Sequence, residues 1–410
     1  MECFQAEDSV SPPASPTTPA RLVRDGPTWL IYLQISTSAA FLYGLSAAIP
    51  LLRIEQKVSQ AVAGLHGTAI AVGAVVSGLA IPWLVSRLGR RRTIWLGLLL
   101  MGAGVALLAA VTPVPATLSA VALAGTGSSI TLYVGMSVLS DHHGRAGAAA
   151  INEANAVAVT VGIGMSYLVS LAAAGPLGWR AALLVTPLAT LALIALMGRV
   201  RVPDTPAGTG GTIGAPLKAH PPPAGPYGTR FHIACAVLFC VVAAEFLFNF
   251  FAAKLLADQT GMTAAVAATA LTAFTAGIAT GRFAGGRLAL RAAPAPLLAA
   301  ALVVTCAGWA VFWLSTHPVP SYAGLALSGA GVAMLFPLGL SRVIAASGGR
   351  PDQASAAASI WAGVAVGTGP FALGALADAF GTRTAFLLVP LLITLALTGV
   401  AFGGRSHPGT

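Results

Sequence analysis

The chain has 410 residues, of which 56% are apolar and 8% charged, with a formal net charge of +10. A soluble domain carries roughly a quarter charged residues, so the composition excludes an ordinary water-soluble protein and points to bilayer-spanning helices. The positive charge is accounted for by basic cytoplasmic loops rather than by nucleic-acid binding, and the unbroken apolar runs exclude a transmembrane β-barrel, whose strands alternate polar and apolar.

Residues 1–27 are rich in Pro and Ser, with early acids and no apolar core. They read as a disordered cytoplasmic tail, not a signal peptide. Twelve apolar stretches of bilayer length follow. We number them spans 1 to 12: 28–52, 62–85, 93–112, 116–139, 146–173, 180–198, 231–253, 263–286, 295–316, 321–345, 354–376 and 384–403. Spans 1–6 form an N-terminal half, 28–198, and spans 7–12 a C-terminal half, 231–403. Between them, 199–230 is Gly- and Pro-rich and reads as a cytoplasmic linker, and 404–410 as a short cytoplasmic tail. The expected fold is therefore an all-α integral membrane protein of twelve helices in two six-helix halves.

With the N-terminus placed inside, 17 of the 22 Lys and Arg residues, Arg282 among them, fall on the inner side. The positive-inside rule then predicts that both termini are cytoplasmic, and the expected location is the plasma membrane. In a chain freed of its native cysteines, a cysteine at Val114 should react from outside, and one at Gly210 only after permeabilisation. The opposite labelling pattern would invert the assignment.

The two halves repeat. At an offset of 204, Leu84 and Arg87 fall on Leu288 and Arg291, and Thr68, Ala69 and Gly73 on Thr272, Ala273 and Gly277. Gly125, Gly127, Gly135 and Ser137 fall on Gly329, Gly331, Gly339 and Ser341. Parallel six-helix repeats about an axis along the membrane normal are a transporter architecture.

Between spans 2 and 3, Ser86–Arg92 reads SRLGRRR. With Leu84 before it, this stretch resembles the loop hallmark of the major facilitator superfamily, commonly Gly-x-Leu-x-Asp-Arg-x-Gly-Arg-Arg. Leu84, Arg87, Gly89, Arg90 and Arg91 fit, while Pro82 stands for the Gly and Ser86 for the Asp. The second copy keeps Gly286, Leu288 and Arg291, and GALADAFG at 374–381 resembles another recurrent segment of the family. The resemblance implies a gating loop built from Ser86, Arg87, Gly89, Arg90 and Arg91, with Arg291 in the second copy. The family's acid latches the two halves in the outward-facing state, so Ser86 implies a weaker latch or one carried by other groups. The antiporter arginine expected near Val121 is missing, and GIGMSYLVSLAAAGP in span 5 is only a partial likeness of the antiporter motif.

The resemblance also implies a central cavity lined by spans 1, 4, 7 and 10. Its candidates are Gln34, Thr37, Ser38 and Phe41; Ser128, Thr131 and Tyr133; Phe248 and Asn249; Met334 and Phe336; and Trp361 from span 11. Two acids fall well inside the spans, Glu245 and Glu153. An ionisable group at membrane depth is costly and marks function by default, so both are candidates for proton coupling, Glu245 first. Cys3, Cys235, Cys240 and Cys306 lack metal spacing, the His142–His143 pair reads as solvated, and no phosphate loop, catalytic triad or cofactor fingerprint is present. The expectation is a non-enzymatic, cofactor-free, monomeric secondary transporter of a small organic molecule, with membrane lipid around it. Proton-coupled efflux of a drug-like or secondary metabolite leads. Proton-coupled import of a metabolite is the alternative, and a non-transporting membrane sensor is a further one.

Overall fold

The computed structural model describes residues 22–58, 60–176, 178–202, 227–262, 267 and 270–404. The N-terminal half comprises α1 (Gly26–Gln56), α2 (Gln60–Ala110), α3 (Val114–His143), α4 (Gly147–Ala174), α5 (Gly178–Leu183) and α6 (Val185–Met197). The C-terminal half comprises α7 (Thr229–Thr260), α8 (Ala270–Ala289), α9 (Pro294–Leu314), α10 (Pro318–Ala345), α11 (Pro351–Phe380), α12 (Thr382–Ala385) and α13 (Leu388–Gly404). The body of the linker, 203–226, and the tails 1–21 and 405–410 lie outside the described residues. The first helix opens at Gly26, ahead of span 1, and residues 22–25 are described as the non-helical approach to it.

Local chemistry sets the ends. The Asp25 carboxylate accepts from the Thr28 amide at 3.0 Å and caps α1, with Pro27 in its first turn. Prolines also stand in the opening turns of α3, α9, α10 and α11, where an unpaired amide would otherwise be left.

At 51 residues α2 would be ~77 Å long, more than twice the hydrocarbon thickness. It is two spans in one hydrogen-bonded run, turned at Gly89, whose φ of 77° suits a residue without Cβ. Gly73 before the turn and Gly104 after it both pack against α3 between Ala120 and Thr126, so the two limbs run back alongside each other.

The packing repeats at the offset seen in the sequence. Gly73 abuts the Ala122 carbonyl, and Gly277 the Ala326 carbonyl; Gly104 abuts the Ala124 amide, and Gly308 the Ser328 amide. Gly125 lies against Ile70, and Gly329 against Phe274. Between membrane helices no hydrophobic drive exists, so association rests on close approach at small residues. A Cβ on Gly277 would overlap the Ala326 backbone. Gly277→Leu should therefore destabilise the C-terminal half by about 1–3 kcal/mol or more. The check is the Tm of detergent-purified protein, and an unchanged Tm would count against this seam.

Candidate gating and coupling sites

The halves meet along a stripe on α11. Asp352, Ser355, Ser359 and Gly363 lie on one helical face, and each touches the N-terminal half. Arg90 at the loop between the limbs of α2 donates from Nε to Asp352 Oδ1 at 2.8 Å and Oδ2 at 3.0 Å. The same guanidinium pairs through Nη2 with Asp141 near the end of α3, also at 2.8 Å. One turn on, Ser137 Oγ lies 2.7 Å from Ser355 Oγ and donates to the Pro351 carbonyl at 3.1 Å. Ser359 Oγ lies 2.8 Å from Ser77 Oγ and donates to the Ala74 carbonyl at 2.7 Å. Gly363 continues the stripe against Ala71 and Ala74. The seam closes the face that bears the arginine-rich loops.

This latch is carried by Arg90, which is 2% exposed, and not by residue 86. Ser86 is exposed and its hydroxyl donates to its own Trp83 carbonyl at 2.9 Å. Arg87 is exposed, Arg91 donates to the Gly198 carbonyl at the end of α6, and Arg291 is exposed in the turn after α8. Of the gating residues expected from the resemblance, the structure joins only Arg90 to the opposite half among the described residues.

The N-terminal approach is tied down on the same face. Arg24 grips Glu153 with two hydrogen bonds, at 2.6 and 2.9 Å. Asp25 Oδ2 lies 2.7 Å from His142 Nε2, and Thr28 Oγ1 lies 2.9 Å from His143 Nε2. Burial disfavours the charged form of Asp25, but the hydrogen bonds from Thr28 and His142 outweigh it and hold the carboxyl below its ordinary range. The histidine pair is thus engaged rather than merely solvated, and Glu153 is an ion-paired residue near the start of α4.

A second seam joins α4 to α8. Here Arg282 corrects the sequence reading, which placed it on the inner side with the loops. It lies two turns inside the end of α8, is 9% exposed, and donates from Nη1 to the Asn155 carbonyl at 3.3 Å. Its Nε has no partner. Glu245 of α7 and Tyr43 of α1 are within electrostatic reach of it, yet no carboxylate comes within 4 Å of its nitrogens among the described residues. Asn152, one turn from Asn155 on the same helix, is 0% exposed with both amide atoms unpartnered. The sequence held one signal for this arginine: at the repeat offset it falls on Gly78, which packs inside the membrane against Ala356 and Ile360 of α11.

The profile of the Major Facilitator Superfamily matches residues 31–231 and 234–409. The chain belongs to the Major Facilitator Superfamily. Solved structures agree on the fold. FucP in the outward conformation superposes with a TM-score of 0.77 at 18% identity, over 93% of this chain and 99% of that one. A point variant of FucP, the E. coli fucose:proton symporter, gives 0.75 at 18% identity over 93% of this chain and 99% of that one. The human organic anion transporter MFSD10 gives 0.72 at 14% identity, over 93% of this chain and 100% of that one. The proton:xylose symporter XylE gives 0.72 at 12% identity, over 91% and 94%. No curated protein sequence matches the chain.

The superfamily fold divides the remaining cavity candidates. Tyr133 of α3 and Phe336 of α10 face each other across the halves, ring edge to face with centroids 6.1 Å apart. Gln34 of α1 is 1% exposed with an unpartnered Oε1, and Ser128 is buried. Thr37 and Ser38 donate to carbonyls one turn back on α1, those of Leu33 and Gln34. Met334 lies against Gly285 of α8. Trp361 is 37% exposed and edge-on to Phe239 of α7.

Three more candidates pack within one half, as Met334 and Trp361 do. Phe41 is buried in the cluster with Leu98, Met101 and Met165. Thr131 sits against Gly97 and donates to the Gly127 carbonyl. Phe248 is buried between Phe274 and Phe386, at 5.2 and 5.5 Å. Periodicity gives the face of a helix but not which neighbour that face meets, and these faces meet their own half. Asn249 is exposed, and its amide donates to the Glu245 backbone carbonyl at 3.1 Å rather than to the carboxylate.

Proposed function

We propose that the protein is a proton-coupled secondary transporter of a small organic solute, working by alternating access, with Glu245 as the proton-binding group. The observation that carries this is the pairing of charges at membrane depth. Glu245 and Arg282, on adjacent helices of one half, sense each other without an ion pair, and Arg282 reaches across the seam to Asn155 of the other half. Moving the halves changes the surroundings of both charges, which is what coupling of a proton to rocking requires. Glu153, held by Arg24, serves the N-terminal tie instead.

With the arginine-rich face taken as cytoplasmic, the Arg90 ion pairs support reading this as a state closed on that side. Efflux by proton exchange is favoured by the aromatic pair Tyr133 and Phe336 at the seam. Proton-linked uptake is the second reading, favoured by the buried Arg282 and by the proton symporters of the same fold. A sealed proteoliposome assay with an internal pH dye tests the shared core. Solute gradients should move protons in the wild-type protein, and solute flux with no proton movement would overturn the coupling.

A further inference from the structure

We propose that Arg282 is the charge-reading group of the solute site and that the solute is a small organic anion, a carboxylate or comparable planar oxyanion. This rests on the reading of Glu245 as the proton site and names the substrate class of that same site.

A buried guanidinium is stable only with a counter-charge or a full set of acceptors. Arg282 has neither in direct contact: one long bond to the Asn155 carbonyl, a bare Nε, and no carboxylate within 4 Å among the described residues. Its fork is thus open on one edge, and a fork of planar donors matches a carboxylate with two parallel bonds. Around it stand further unspent groups. Asn152 shares the helix face of Asn155 and has both amide atoms free, and Tyr43 of α1 lies within electrostatic reach of both Arg282 and Glu245. These three helices come from both halves, so the site is built only when the halves meet.

The repeat sharpens the point. Gly78, 204 residues earlier, is pressed against Ala356 and Ile360 and leaves no space. The matching position on the second seam carries the longest cationic side chain in place of no side chain.

The charges facing Glu245 are Arg282 from α8 and the Tyr43 phenol from α1. While Glu245 is ionised it is a counter-charge within electrostatic reach of Arg282. When it takes a proton, Arg282 is left to an incoming anion. Proton and anion then occupy the site together as a neutral pair, which favours proton-linked uptake, the second reading above, over exchange.

The test uses full-length protein in detergent, followed by thermal shift, with lactate and benzoate as probes. Lactamide and benzamide are the neutral counterparts, tetraphenylphosphonium is a cation, and chloride a simple anion. At least one carboxylate should raise the Tm, and its amide should not. Arg282→Gln should weaken that carboxylate at least tenfold, and Arg282→Lys less. Glu245→Gln, which leaves Arg282 untouched, should tighten it severalfold at pH 7.5, so the proposal stays exposed even if Arg282→Gln fails to fold. Failure of both carboxylates to stabilise the wild type overturns the proposal. So does equal stabilisation by chloride, or unchanged carboxylate affinity in Glu245→Gln. Arg282-dependent carboxylate binding with no flux in proteoliposomes would sink the transporter reading and leave the site standing. Proton-coupled flux of a cation that Arg282→Gln does not alter would do the reverse.

Discussion

Arg90→Ala should open the arginine-rich face. The side chain makes two ion pairs, one within its own half to Asp141 and one across the seam to Asp352, and its own exposure is 2%. Removing one partner of a fully buried pair costs about 3–5 kcal/mol, but Asp141 and Asp352 remain partly wetted at 18% and 23%, and water softens the loss. A shift of about 1–3 kcal/mol towards the open seam is expected, roughly five- to 150-fold in population. A cysteine at Ser355, which the closed seam buries, reports it. Maleimide should label that position at least about fivefold faster in the Arg90→Ala background. Arg87→Ala is the control, because Arg87 is exposed. Faster labelling in the Arg87 variant alone would show that the latch has been placed on the wrong arginine.

Glu245→Gln should abolish accumulation driven by a pH gradient while downhill exchange of solute survives. Glutamine keeps the length and one carbonyl acceptor but cannot release a proton. Exchange needs the loaded site to turn over without a change in protonation, whereas accumulation needs the proton to leave. The magnitude follows from the role: gradient-driven accumulation falls to the passive level, while the exchange rate stays within a few-fold. A merely structural glutamate would leave both activities near wild type, since its carboxylate has no ion pair among the described residues. Gradient-driven transport that survives in Glu245→Gln would remove this residue from coupling. The measurement is made on one reconstituted preparation, with and without the gradient.

The fold was legible because membrane physics writes it in length and in small residues. The spans show as apolar runs, and the repeat shows because Gly73, Gly125 and their partners 204 residues on occupy the same close contacts in both halves. The latch was legible only on one side. Arg90 stood in a recognisable loop, but Asp352 lies 262 residues away and looks like any acid in the first turn of a helix, where it suits the dipole. Arg282 was misplaced for a related reason. Counting arginines by the nearest loop cannot separate one at the membrane edge from one two turns inside. Phe41, Phe248 and Thr131 show the converse: a polar or aromatic stripe marks a face, and only tertiary packing says whether that face meets a cavity or a sibling helix.

Among the described residues the ion-pair latch exists on one seam only. The loop after α8, its counterpart in the repeat, presents an exposed Arg291 and, at the position matching Arg90, Pro294. A catch fitted to a single side acts as a rectifier of rates, not of direction. It fixes which membrane face the empty carrier presents and how long it waits there, and it makes unlatching a slow step that solute or proton binding has to accelerate. It adds no driving force, because a barrier slows forward and reverse steps alike and the ratio of forward to reverse rates around the closed cycle is set by the gradients alone. Weakening it should therefore change the concentrations at which each side saturates, and leave the final accumulation ratio where the proton gradient puts it.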